Sequence, residues 1–181
     1  MSLTGERITN TTDPFTPFDG NLPPEAEKIF NDDVKRLDNL QPSEQFVISN
    51  DDGTKTLLKG CRGVHNGGED RIDTFDYLYL FDIGDDDTLA GFGVVSMFVD
   101  TEYEDMKDRP FVDYTRTSEE YRRQGLGRRR LINMNAASQQ FFNLPLYSSR
   151  VIQDDALRLW QDLEQEGLVI QDRGSYRFKT E

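Results

Sequence analysis

Strand-forming Phe111-Val112-Asp113-Tyr114-Thr115-Arg116-Thr117 leads through a glycine-containing turn into a helical stretch over residues 125–142, rich in Arg, Leu, Ala and Gln, and a short apolar strand follows over 144–148. A strand, a helix and a strand in that order do not close as a hairpin; they form a crossover unit. What precedes the unit reads differently. Residues 45–49 and 55–61 flank Asn50-Asp51-Asp52-Gly53, where Asp-Gly supplies the positive φ of a hairpin turn. Residues 75–81 and 88–99 are a second apolar, β-branched and aromatic pair across an acidic turn. Residues 101–109 form a charged loop, and Pro110 blocks any continuous helix there. An antiparallel meander therefore gives way to one crossover, followed by a helix over 154–166 and a hairpin around Arg173-Gly174. The expected fold class is α/β (α+β): a mixed, mostly antiparallel central sheet flanked by helices, parting where the crossover begins.

From Pro23 to Leu40 the apolar residues Ala26, Ile29, Phe30, Val34, Leu37 and Leu40 recur at three- and four-residue steps, which predicts an amphipathic helix ending near Pro42. Residues 1–22 mix Thr, Asp, Pro, Asn and Gly with isolated apolar residues. They are expected to be a flexible N-terminal arm, with Phe15 and Phe18 as its points of attachment. The rest, 23–181, has the size of one compact domain. Residues 64–73 read as a Gly-rich loop carrying His65.

The chain carries 12 Phe and 7 Tyr, enough to build a core despite its polarity. It has no long apolar run of membrane-spanning length and no basic-then-apolar start, so a soluble, cytoplasmic protein is expected, with no membrane partner. One Cys, Cys61, and one His, His65, predict neither a disulfide nor a structural metal. The acidic run Asp85-Asp86-Asp87 lacks the ligand spacing of a calcium loop. The net charge of −13 opposes broad contact with nucleic acid or anionic lipid. Residues 118–150 nevertheless hold six Arg and two Glu, a local +4 that leaves −17 on the remainder. A basic island in an acidic chain needs a reason.

The turn itself supplies one. In Arg122-Arg123-Gln124-Gly125-Leu126-Gly127-Arg128 two glycines remove side chains beside the exposed N–H groups of a helix start, which is an anion cradle. Arg122, Arg123, Arg128, Arg129 and Arg130 raise the local potential toward a polyphosphate. The bland alternative is a tight turn beside a solvated helical face.

This segment resembles the acetyl-CoA signature of the GNAT superfamily of N-acetyltransferases, in which Arg or Gln, two residues, Gly, one residue, and Gly or Ala join a strand to a helix. Residues 144–148 resemble that family's fifth strand. Ala156, Leu159 and Gly167 fall in a helix resembling its N-x-x-A-x-x-L-Y segment. The resemblance covers about 70 residues specifically and the remainder by element order. It implies a sheet splayed between the family's fourth and fifth strands, here Phe111–Thr117 and residues 144–148, with the pantetheine arm between them. It also implies acetyl-CoA as co-substrate, held by Thr115, Arg116, Thr117, Arg122, Arg123, Gln124, Gly125, Leu126, Gly127 and Arg128.

Two positions depart from the pattern: Gln153 stands where the family often has Asn, and Trp160 where it often has the Tyr that protonates the leaving thiolate. Trp cannot act as a general acid near neutral pH. Trp160 and the pair Phe141-Phe142 are instead expected in the core. Tyr147 is the substitute acid and Asp113 the candidate base. Strand alternation predicts Asp113 and Tyr114 on opposite faces.

The expected function is transfer of an acetyl group from acetyl-CoA to a primary amine by direct attack, since no positioned Cys nucleophile is apparent. An acidic surface favours a cationic acceptor such as a polyamine, an aminoglycoside or a basic protein terminus. Two other classes stay open: an inactive GNAT-fold binding or structural module, and a GNAT-like enzyme that modifies nucleic acid, which the −17 opposes. Monomer and homodimer are equally open.

Overall fold

The computed structural model describes residues 14–66 and 72–180. Within them a six-stranded antiparallel sheet runs in sequence order through β1 (Thr16–Phe18), β2 (Leu37–Ser49), β3 (Lys55–Asn66), β4 (Ile72–Ile83), β5 (Leu89–Asp100) and β6 (Phe111–Thr117). Helix α1 (Pro24–Val34) lies between β1 and β2. Helices α2 (Leu126–Phe142) and α3 (Asp154–Gln165) and the hairpin β7 (Val169–Asp172) and β8 (Ser175–Phe178) follow β6. The fold is a mixed α+β one, as expected. Among the described residues no helix is long and apolar enough to cross a membrane.

The sheet is covered on both sides because its central strands are apolar on both faces. Tyr77, Tyr79 and Phe81 of β4 pack with Ala26, Phe30 and Val34 of α1. Leu78 and Leu80, between them, pack with Leu131, Met134 and Ala137 of α2 and with Trp160 and Leu163 of α3. Trp160 is buried, stacked on Tyr176 and edge-on to Phe178. Phe141 and Phe142 are buried in the same core.

Helix α1 stops at Val34, six residues short of the expected end at Leu40. Leu37 is buried, but as a strand residue of β2: a Cβ on Gly63 of β3 would lie 2.9 Å from its own Cβ, so the missing side chain opens the seat that Leu37 fills. Two register shifts, around left-handed Asn39 (φ 51°) and Pro42, let β2 bend past these residues. Of the loop expected over 64–73, residues 67–71 lie outside the described residues, and the rest is strand. β3 runs to Asn66 and β4 begins at Ile72, so Val64, His65 and Asp73 are paired strand residues.

Of the arm expected over 1–22, residues 1–13 lie outside the described residues. Phe15 is buried against Phe141, and the Gln140 side chain clasps its backbone, accepting from its N–H at 3.0 Å and donating to its carbonyl at 2.9 Å. β1 then adds to the edge of β2. Burying one such ring is worth about 1.5–3 kcal/mol, so the attachment expected at Phe15 is a firm one.

Residues 144–148 join the two sheets. The Val112 N–H donates to the Tyr147 carbonyl (2.9 Å) and the Tyr147 N–H to that of Pro110 (2.8 Å), a parallel bridge of one residue pair. On the other side the Ser148 and Phe178 N–H groups donate to Tyr176 and Leu146 carbonyls (2.8 and 3.0 Å).

Candidate functional site

The turn between β6 and α2 is fastened on its β6 side, beside the start of β5. The Ser118 N–H and hydroxyl donate to the Ala90 and Leu89 carbonyls at the start of β5 (2.9 and 3.1 Å), and the Tyr121 hydroxyl meets Thr88 Oγ1 at 2.8 Å. Between these anchors and the helix, Arg123 (φ 62°) and Gly125 (φ 75°) are both left-handed, a conformation that suits glycine and costs other residues about 1–2 kcal/mol. Gly125 is the N-cap of α2 and no side chain caps the helix. The amides of Leu126, Gly127 and Arg128 thus have no helical acceptor. A Cβ on Gly125 would meet nothing within 4 Å, and one on Gly127 only Leu159 at an ordinary 3.5 Å. Packing within the chain does not require Gly127, and the Cβ direction of Gly125 is open.

The five arginines of the run divide. Arg130 is buried with its Nε on Asp82 Oδ2 (2.7 Å) and its Nη1 on Thr117 Oγ1 (3.1 Å). Burial holds the Asp82 carboxyl above its ordinary range, while Arg130 pulls the other way. Arg129 pairs with Asp52 and Arg128 with Glu166. Arg122 and Arg123 are exposed and have no ion pair among the described residues. The free positive charge at the turn is therefore smaller than the run suggests, and it sits on the N-terminal side of the glycines.

β6 approaches the turn with one side open. Beyond Val112 no strand pairs with its outer edge among the described residues. On its inner edge the register slips: Val94 faces Tyr114 while Val95 faces Val112, so Asp113 is an extra, bulged residue. The bulge corrects the expected alternation. Val112 packs with the α2-side core, whereas Asp113 and Tyr114 both line one cavity of about 470 Å³ on the α1 side. Buried Ser96 donates to Asp113 Oδ2 at 2.9 Å and fixes that carboxylate. Thr115 and Arg116 are exposed, and Thr117 is half-buried against Arg130.

Tyr147 is bridged to β6 by its backbone, and its side chain is held by other partners. Its ring is under the Arg109 guanidinium (4.6 Å) and its hydroxyl reaches Asp172 (3.4 Å), which Arg177 also holds (3.0 Å). The cavity that takes in Asp113 is not lined by Tyr147. His65 sits on β3 near the Phe75 ring, away from the turn. Sequence reading missed Ser96, Ser118 and Tyr121, and read Arg130 as part of the anion field; these are the residues that position Asp113, the turn and α2. Each acts through a partner 13 to 48 residues distant, so no local pattern marks it.

No protein-family model, curated protein or solved structure matches this chain at a significant level.

Proposed function

We propose that this chain is a GNAT-type N-acetyltransferase that moves an acetyl group from acetyl-CoA to a primary amine. The observation that carries the reading is the open helix start: three uncapped amides, a glycine that packing does not require and two unpaired arginines, at the end of a strand whose outer edge is free. The amides and arginines suit the pyrophosphate of CoA. The unpaired edge over residues 113–117 suits the amide-bearing pantetheine arm, which adds to a strand edge as a peptide would. The single bridge at Tyr147, with separate pairings on either side, is the arrangement expected of strands that part.

When bound, acetyl-CoA supplies an activated thioester carbonyl. The neutral amine adds its lone pair to that carbon, the C–S bond breaks, and the sulfur leaves with the electron pair and takes up a proton. An N-acetyl amine and free CoA result. Asp113, held by Ser96 at the bulge, is placed to accept the proton the amine sheds. Trp160 in the core and Tyr147 on Asp172 leave the sulfur's proton to solvent. That same observation favours a second reading, a CoA-binding module without turnover, which an acetylation assay over an amine panel separates from the first.

The test is the thermal midpoint with acetyl-CoA. At 100 times Kd a bound ligand adds about 2.7 kcal/mol, or about 5 to 10 °C at this size. Gly127→Asp puts a carboxylate at the helix start, which favours the helix dipole and repels a phosphate. The variant should keep its unliganded midpoint and lose the shift. No shift in the parent, or a shift that survives the substitution, refutes the assignment.

A further inference from the structure

The cavity beside β6 has a wall and a floor of different chemistry. Ile29 of α1, Phe92 and Val94 of β5 and Tyr114 of β6 make it apolar, with the Phe92 and Tyr114 rings tilted together at 5.4 Å. Tyr114 is 50% exposed, a large ring left half-covered at the cavity mouth. The volume of about 470 Å³ fits one small molecule.

The charges around it are Asp32, Asp33, Arg36 and Asp113. Asp32 is bound by Lys28 (2.7 Å) and Lys35 (2.8 Å). Asp33 accepts from Arg36 (3.4 Å) and from the Tyr79 hydroxyl. Asp113 alone among the three carboxylates has no ion pair within the described residues, and Ser96 aims it. Asp113, the one of these carboxylates with no ion pair among the described residues, stands beside aromatic faces, which suits one positive charge on an apolar body. Arg36, in the same lining and acting on Asp113 by charge, disfavours a second cationic group, and the Asp113 carboxylate disfavours an anion.

We infer that this cavity is the acceptor site and that it takes a monocationic primary amine carrying a flat apolar body, its ammonium on Asp113 and its body against the Phe92 and Tyr114 rings. The inference rests on the acetyltransferase reading for the fate of the amine, but not for its binding. The amine binds as the ammonium ion and reacts after losing a proton, and Asp113 lies at the bulge where the open edge of β6 begins, so the same position serves the bound amine and the incoming acyl group.

Calorimetric titration of the full chain, without acetyl-CoA, tests it with four probes: 2-phenylethylamine, 2-phenylethanol, 3-phenylpropanoate and spermidine. Phenylethylamine should bind one to one, at least tenfold tighter than the alcohol, with neither the acid nor spermidine binding measurably. Asp113→Asn keeps an acceptor for Ser96 and should bring the amine down to the alcohol's affinity. Tyr114→Ala, at an exposed position, should weaken amine and alcohol alike. Failure of phenylethylamine to bind, tighter binding of spermidine, or an unchanged affinity in Asp113→Asn would each overturn the inference. The acetyl-CoA shift is read separately: acetyl-CoA binding without amine binding leaves the acetyltransferase reading standing and this one fallen. Amine binding without acetyl-CoA binding does the reverse.

Discussion

Replacing Arg130 by Met removes one half of a buried ion pair and leaves the other. The two side chains are 2% and 0% exposed, so neither charge is repaid by water when its partner goes. Breaking such a pair from one side costs about 3–5 kcal/mol, which at this length lowers the thermal midpoint by about 6 to 20 °C. Asp82→Asn, which keeps an acceptor for the Thr56 hydroxyl at 3.2 Å, strands Arg130 instead and should cost a similar amount. The double variant buries no charge at all and should recover at least half of either loss, so the two single effects will not add.

The pH dependence carries the sign. Burial raises the Asp82 carboxyl above its ordinary range, and Arg130 is the main influence opposing that rise. In Arg130→Met the largest part of that opposition is gone, so the folded-state value lies further above the unfolded one. A carboxyl raised on folding costs stability while it is ionised, and the cost fades as pH falls through the raised value. The deficit of Arg130→Met relative to the parent should therefore shrink as pH falls below neutrality in urea unfolding. A deficit below about 1 kcal/mol, or one independent of pH, would refute the account of this pair as a buried charge couple.

Two further outcomes follow from packing. A Cβ at Gly91 would stand 2.1 Å from Arg130 Nη2 and 2.5 Å from the Arg116 carbonyl oxygen, whereas at Gly93 the closest atom, at 2.8 Å, is the sulfur of flexible Met134. Gly91→Ala should lose about 1–3 kcal/mol and Gly93→Ala clearly less; equal losses in urea unfolding would contradict the geometry. Cys61 is fully buried and its thiol is pushed up to about 12, first by burial and then by the nearby Asp76 and Asp33 charges. Iodoacetamide at pH 8 should leave it unlabelled in the native chain and label it in urea, and native labelling within tenfold of the unfolded rate would rule that out.

Where the sequence reading succeeded, the deciding forces are local. Asp52-Gly53 and Arg173-Gly174 mark hairpins because the glycines, at φ 84° and 80°, sit in a backbone region other residues avoid. Helix α2 runs from Leu126 to Phe142 as expected because its glycine start and left-handed Asn143 end are both written in the chain. Where it failed, the deciding contact is distant. Leu37 continues the period of α1 without fault, and only Gly63 across the sheet makes it a strand residue. Asp113 and Tyr114 obey alternation until a register slip against Val94 and Val95 turns both to one cavity. The candidate site was legible as a turn and a strand, and its depth, its carboxylate's support and its aromatic wall were not.

The Arg-rich run shows the same division within a few residues. Arg128, Arg129 and Arg130 reach acids 38, 77 and 48 positions away, on the far end of α3, in the β2–β3 turn and in β4. Each ties the first turns of α2 to a different part of the body, so their charge is compensated and their work is to hold a helix start in place. Arg122 and Arg123 precede the helix, find no acid among the described residues, and keep their field. A preorganised set of amides binds an anion better than a mobile one because the ordering is done before the ligand arrives. On this view an acidic chain places arginines at one turn for two reasons, the later ones to fix the cradle and the earlier ones to draw the anion in, and their spacing along α2 decides which does which.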